Sequence, residues 1–379
     1  MSIILPFLTS DQIYDLSEEA RRDYDYESDM ELKRQGVGLE PEHPQVHLNY
    51  GLSLLRLGFF DEGWGEYAWL HKNPPETGDQ PPDGENTHGL VLPEWGGQTL
   101  KNKTLLLVCE EGLGDFIQFL RFALDLKADR RMRTKLLVLA PPPLAAIFSR
   151  SPLVDRVLSG GEMIATDEYD YWIATCQLPD MMHAGAPRAV PPYLFSDPVN
   201  NSRWGTILHR RILRPHQPTV ALVWGGNPKH SNDAFRSLPF ADLQSLFTLS
   251  HINFVSLQMD DRRHEARELL VSDNYTDLGS CVETFDDTAS ILSHCDLLLT
   301  VDSAPCHLAG ALGVETWVLI PDLPDWRWGP SGDTNIWYDN MRVFRQPAYG
   351  TWVDAVHEVC VAMQERFPQT KLLGSKYEG

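Results

Sequence analysis

The chain has 379 residues, enough for two or three domains, and its 53 Asp and Glu against 32 Lys and Arg give a formal net charge of −21. Such a surface repels polyanions, which argues against DNA or RNA as a partner, whereas a small phosphorylated ligand needs only a few local cations and a helix terminus. The six scattered cysteines form no CxxC or zinc-ligand pattern, no apolar run reaches the roughly 18 residues of a membrane span, and the N-terminus lacks a basic signal region, so we expect a cytoplasmic protein without metal site or integral membrane segment.

From His43 to His71 the sequence HPQVHLNYGLSLLRLGFFDEGWGEYAWLH carries two helical patterns broken at Gly58. Leu48, Leu52 and Leu55 share one face of the first, and Trp64, Tyr67 and Ala68 one face of the second. The pair resembles a tetratricopeptide repeat, with 11–40 adding at most a partial one; an ordinary helical hairpin is the alternative. One such unit cannot stand alone, so residues 1–72 are expected to pack on the rest of the chain. Residues 73–94, rich in Pro, Gly and acids, read as a linker.

Strand patterns follow at 104–108, 135–140, 171–174, 219–224, 252–257, 297–301 and 315–320, alternating with amphipathic segments. Continuous apolar strands of this kind belong to parallel sheets covered on both faces. A polar, Arg-rich stretch at about 200–217 divides them into two series. The expected fold class is therefore α/β, with Rossmann-like domains over 95–210 and 211–379 facing each other across a cleft.

Three turns carry the chemistry. The first strand runs into Cys109-Glu110-Glu111-Gly112-Leu113-Gly114-Asp115, where the glycines permit a tight turn and close approach of a ligand. Asp115 at the helix start reads either as an N-terminal cap or as a base for an acceptor hydroxyl. The second domain opens with Trp224-Gly225-Gly226-Asn227-Pro228-Lys229, a strand and polar loop suited to backbone contacts with phosphate, and Lys229 and Arg236 are either phosphate ligands or solvated cations. At Thr300-Val301-Asp302-Ser303-Ala304-Pro305-Cys306-His307 an apolar strand feeds a helix N-terminus. Ser303 is its expected N-cap, and His307 shares a helix face with it; phosphate binding and plain capping both fit. Further on, Asp325-Trp326-Arg327-Trp328 joins aromatic rings to a cation, which suits either ligand stacking or loop anchoring.

The order of these blocks, with Leu57–Trp64, Gln118-Phe119, Ser256-Leu257-Gln258, Phe285 with Asp287-Thr288-Ala289, and Trp337-Tyr338, resembles the tetratricopeptide-containing bacterial glycosyltransferases of GT-B fold. These are related to the lipopolysaccharide heptosyltransferases and to the catalytic regions of flagellin glycosyltransferases. The resemblance implies an inverting, metal-independent transfer from a nucleotide sugar to a protein or surface-glycan acceptor, with no further cofactor. It makes Asp115 the general base and gives Glu111, standing where Gln is expected, a secondary catalytic part. It assigns the donor to Gly112, Gly114, Trp224, Gly226, Asn227, Arg236, Gln258, Asp302, Ser303, Ala304, His307 and Arg327, with Arg236 and His307 adding positive charge or donors. Ser303 and Ala304 depart from the Thr and Gly of the family pattern. The rival readings are a catalytically silent scaffold of the same fold and a nucleotide-sugar epimerase.

Overall fold

The computed structural model describes residues 8–72, 90–109, 112–159, 162, 164–212, 214 and 216–369. Two helix pairs come first: α1 (Ser10–Arg22) with α2 (Tyr26–Leu39), and α3 (Pro44–Leu57) with α4 (Phe60–Tyr67). A capping box starts α1, Thr9 Oγ1 accepting from the Gln12 amide and Gln12 Oε1 from that of Thr9. Gly58 ends α3 at φ +86°, a left-handed position glycine occupies without strain. Gly51 sets the approach of α3 to α4, since a methyl group there would lie 2.6 Å from the Tyr67 nitrogen.

Residues 11–40 hold a helix pair, α1 and α2. Their apolar periodicity is diluted because α2 turns charge inward: buried Asp29 pairs with Lys33 Nζ at 2.8 Å and accepts from Ser53 Oγ of α3 at 2.6 Å. A hydrophobic pattern does not register such a contact.

The helical segment is keyed into the rest of the chain through Trp64, which is 1% exposed. Its ring meets Phe119, Phe122, Trp326 and Trp337 with centroids 5.7–6.3 Å apart, all near edge-to-face, and its indole N–H donates to the Gly185 carbonyl at 2.7 Å. Residues 73–89 of the expected linker lie outside the described residues; just beyond them the Trp95 amide donates to the Trp172 carbonyl at 2.7 Å, tying the chain to the first sheet.

The strands are β1 (Thr104–Val108), β2 (Lys135–Leu139), β3 (Arg156–Leu158), β4 (Tyr171–Ala174), β5 (Thr219–Val223), β6 (Asn253–Ser256), β7 (Tyr275–Asp277), β8 (Leu297–Val301), β9 (Thr316–Ile320) and β10 (Met341–Arg345). They form two all-parallel sheets, ordered β3-β2-β1-β4 and β10-β9-β8-β5-β6-β7. All seven expected strands are present. The three additional ones, β3, β7 and β10, are edge strands, short or carrying charge as in Met-Arg-Val-Phe-Arg, so they lack the continuous apolar signature of the centre.

The polar stretch read as a break near 200–217 is largely a helix, Pro198–Arg211, capped by Asp197. Trp204 in it is fully buried and donates to Asp287 Oδ1 at 2.7 Å, seating this connector on the second domain. Its exposed positions carry Arg203, Arg210 and Arg211, while Asn200 turns its amide toward Asp286 and Asp287.

Deleting residues 1–72 should therefore yield a destabilised, self-associating chain, because the rings around Trp64 would face water. Trp64→Ala in the full chain should cost about 3–5 kcal/mol of unfolding free energy. Light scattering and urea titration read both; a monomeric deletion variant with an unchanged midpoint would show that the segment is an independent module.

Candidate active site

The turn after β1 leads into a short helix, α5 (Leu113–Phe119), with Gly112 at its N-cap. The N-cap is Gly112 and not Asp115, which stands at the third helical position and accepts from the Gly112 amide through Oδ2 at 3.1 Å. The other oxygen, Oδ1, accepts from Arg327 Nη2 at 2.5 Å across the domain boundary. The side chain is 28% exposed, and a carboxylate offers about four lone-pair directions, so these two bonds orient Asp115 and leave it able to accept from a hydroxyl. Glu111 lies outside the described residues.

Arg327 sits in a single 3-10 turn, Trp326–Trp328, started by Asp325, whose Oδ1 accepts from the Arg327 amide at 3.0 Å and from Nη1 at 2.8 Å. Nε donates to Gln118 Oε1 on α5 at 2.7 Å, and the guanidinium lies 4.5 Å from the Trp326 ring. Burial opposes its charge, but Asp115 and Asp325 outweigh that and raise its pKa well above the ordinary value. Donating to Asp115, Asp325 and Gln118, Arg327 works as a strut between the domains.

The second helix terminus, Ala304–Leu312, packs directly on α5. Gly114 is the contact point; a methyl group there would stand 3.0 Å from His307 Cδ2 and 3.3 Å from the Ala304 Cα. Its openness thus serves the meeting of two helices. Ser303 occupies the N-cap position, yet its hydroxyl donates to the Val301 carbonyl at 3.2 Å and accepts from no helix amide, which leaves the helix start without a side-chain cap.

His307 is 4% exposed, with Nδ1 3.4 Å from Tyr338 Oη and its ring stacked on Trp328. Burial, then the guanidinium charges of Arg327 and Arg121, push its pKa down to about 3, so it is neutral at physiological pH. Of the two contributions expected of His307, positive charge or a hydrogen-bond donor, the neutral imidazole leaves the donor. Asp302 moves the opposite way, raised to about 6 by burial and by the Asp325 charge, against the pull of Arg327 and Arg236.

On the adjoining side, Gln258 holds the turn after β5: its Oε1 accepts from the Trp224 and Gly225 amides, both at 3.0 Å, and its Nε2 donates to the Gly225 carbonyl and to Asp260. Gln258 and buried Trp224 thus shape the loop from beneath, and the Trp224 indole N–H has no hydrogen-bond partner among the described residues. Asn227 is exposed and accepts from the Lys229 amide, forming a turn. The Gly226 amide is taken by Ser237 Oγ at 2.9 Å. Arg236 lies against this loop; its Nε is 3.5 Å from Asp233 Oδ1, and among the described residues its Nη atoms make no hydrogen bond. It is the assigned basic residue with donors left for a phosphate.

The structure thus gathers Gly112, Gly114, Asp115, Ala304, His307 and Arg327 at one interdomain contact, and Trp224, Gly226, Gln258 and Arg236 on the neighbouring loop. Four further residues belong to this arrangement. Gln118 and Asp325 stood within the ordered sequence blocks, but only the fold shows that both grip Arg327. Asp233 and Arg262 form an ion pair that braces the loop, with Arg262 Nη1 donating to the Gly226 carbonyl at 3.0 Å; no local spacing marks Arg262 within its charged stretch.

The two parallel sheets with their helix-starting turns brought face to face are the arrangement of a GT-B fold. No family model matches the chain. It is 26% identical over 366 residues to Protein FlbA of Caulobacter vibrioides, covering 89% of this chain and 58% of that protein, so the chain spans less than two thirds of its curated relative. Among solved structures it is similar to the ADP-heptose LPS heptosyltransferase II of E. coli, with 15% identity, TM-score 0.48, and coverage of 69% of this chain and 99% of the other. It is also similar to a family 9 glycosyl transferase of Veillonella parvula, with 13% identity, TM-score 0.47, and coverage of 71% and 91%.

The low pKa of His307 has a thermodynamic consequence. Unfolding releases the imidazole to its ordinary pKa of 6.5, so the unfolded chain binds the extra proton and His307 contributes a stability loss as pH falls from about 6.5 toward about 3. Asp302, with its raised value, works in the opposite sense between its ordinary 3.8 and about 6. His307→Gln should remove the first contribution, changing the slope of unfolding free energy by up to about 1.4 kcal/mol per pH unit. Urea midpoints measured across this range read the slope; identical profiles for the two proteins would show that His307 titrates freely.

Proposed function

We propose that this chain is a glycosyltransferase that moves a sugar from a nucleotide-activated donor to an acceptor hydroxyl, by an inverting route that uses no metal ion. The observation that carries this reading is the placement of Asp115, on the first domain, against the uncapped helix start of Ala304–Leu312 on the second, with Arg236 on the adjoining loop. A group able to take a proton, a helix N-terminus able to receive an anion and a cation with donors to spare are the three requirements of displacing a nucleoside diphosphate.

In this mechanism the acceptor hydroxyl gives its proton to Asp115 as its oxygen attacks the anomeric carbon from the face opposite the leaving diphosphate. The C–O bond to the diphosphate breaks, and the departing charge is met by the Ala304 amide at the helix start and by Arg236. Arg327 acts indirectly, since with the Gly112 amide it fixes the orientation of the Asp115 carboxylate. Asp302 is retained as part of the donor side, and neutral His307 serves as packing beneath it or as an uncharged hydrogen-bonding group. Among the described residues no group of three His, Cys, Asp or Glu side chains is arranged to hold a metal ion.

The acceptor in this reading is a protein or surface glycan, reached in the cytoplasm. The helical segment, read as tetratricopeptide-like, supports this as a surface beside the first domain. No helix of the described chain is long and apolar enough to cross a membrane.

A thermal-shift series over UDP, GDP, ADP, CMP and their sugars identifies the nucleotide, because a ligand that prefers the folded state raises its melting temperature. With that donor, Asp115→Asn should lower turnover by about 10²–10⁴-fold while leaving nucleotide affinity nearly unchanged. Arg236→Ala should weaken nucleotide binding by about 1.5–3 kcal/mol in calorimetry. Normal turnover in the first variant, or unchanged affinity in the second, removes that residue from its role.

Activity should also survive EDTA, and NMR of the product should show an anomeric configuration opposite to the donor's. Loss of activity in chelator that Mg²⁺ or Mn²⁺ restores would contradict the metal-free route, and retention of configuration would contradict single displacement.

A further inference from the structure

Behind the loop that carries Arg236 the second domain opens a separate cavity of about 330 Å³, within the size range of small-molecule sites. At its mouth stand Phe235 and Tyr349, 49% and 67% exposed, with ring centroids 5.6 Å apart. Large aromatic side chains left in water beside a cavity form a face for a ligand, and their rings are negative at the centre.

The polar lining is unbalanced. Three carboxylates, Asp233, Asp242 and Glu265, face one cation, Arg262. Arg262 is already committed, to Asp233, to Asp260 Oδ2 at 3.4 Å and to the Gly226 carbonyl. Asp242 makes no side-chain hydrogen bond or ion pair among the described residues. Glu265 gives only Oε2, to the Phe240 amide at 3.3 Å. The cavity therefore holds two carboxylates with unanswered negative charge next to two exposed aromatic faces. A phosphate or nucleotide would be repelled from it.

We propose that this cavity binds a basic side chain, arginine or lysine, presented by a partner polypeptide. The apolar stem covers Leu238 and Phe235, and the cation lies over Tyr349 within reach of Asp242 and Glu265. Such a site gives a chain of strongly acidic composition a specific contact with a basic segment. It stands whether or not the glycosyltransferase reading holds, because none of Asp242, Glu265 and Tyr349 belongs to the interdomain site.

The test is a titration of the full chain with Nα-acetyl-arginine methylamide, followed by saturation-transfer NMR. The lysine counterpart, the neutral citrulline counterpart and a neutral methyl glycoside serve as comparison ligands. The arginine probe should bind, its signal should fall as salt rises, and the citrulline probe should bind at least threefold more weakly. Asp242→Asn and Tyr349→Ala should each weaken the arginine probe about two- to fivefold, since each removes one surface electrostatic or cation–π contact. Both positions are at the surface, so thermal unfolding of these variants should match the parent, and nucleotide binding should be unchanged. The lysine counterpart decides which cation is preferred. Equal binding of arginine and citrulline probes, displacement of the arginine probe by the methyl glycoside, or full affinity in an Asp242→Asn, Glu265→Gln double variant would each overturn the proposal.

Discussion

The position of one guanidinium organises the centre of this molecule. Arg327 leaves the second domain and ends on Asp115 and Gln118 of the first, while Asp325 holds it from behind. A buried arginine is costly unless each of its donors finds a partner, so the two domains are constrained to present those partners together. The orientation of the candidate base, the approach of α5 to the Ala304 helix and the seating of the Trp326–Trp328 turn all follow from that demand. The pair crosses a domain boundary, so any opening of the two domains at this point must first separate Asp115 from Arg327.

Around the strut lies an aromatic shell, and here the helical segment becomes part of the surroundings of the candidate site. Trp64 closes the cage formed by Phe119, Phe122, Trp326 and Trp337, so rings from the helical segment and both α/β domains meet at one node. The shell keeps water from Arg327, which strengthens its interactions with Asp115 and Asp325. A segment whose composition suggests an appendage thus helps to set the dielectric environment of the site.

Burial also sorts the titratable groups. His307, under α5 and beside two guanidinium groups, stays neutral, whereas Asp302 is held toward protonation by burial and by Asp325. Positive charge beside the candidate site consequently rests with Arg236 and the helix start, not with the histidine. The neighbouring cavity has the reverse polarity, with Asp242 and Glu265 unanswered, and the Asp233–Arg262 pair stands as the wall between the two.

The sequence by itself determined the elements whose signals are local. Apolar runs marked every central strand, Gly58 marked the break between α3 and α4, and the acid-hydroxyl pair after Leu297–Val301 marked a helix start at a sheet end. The edge strands β3, β7 and β10, the connector helix Pro198–Arg211 and the polar packing of α2 were not legible, since in each the residues serve solvent or a distant partner and blur the hydrophobic period. Candidate residues were legible as types, but their roles were not. Whether Asp115 caps or reacts, whether His307 carries charge, and whether Arg327 and Gln258 touch a ligand or the protein depend on neighbours as far away in sequence as Asp115 is from Arg327. Only the tertiary structure brings those neighbours together, because desolvation and ion pairing are set by what surrounds a side chain in space and not by what precedes it in the chain.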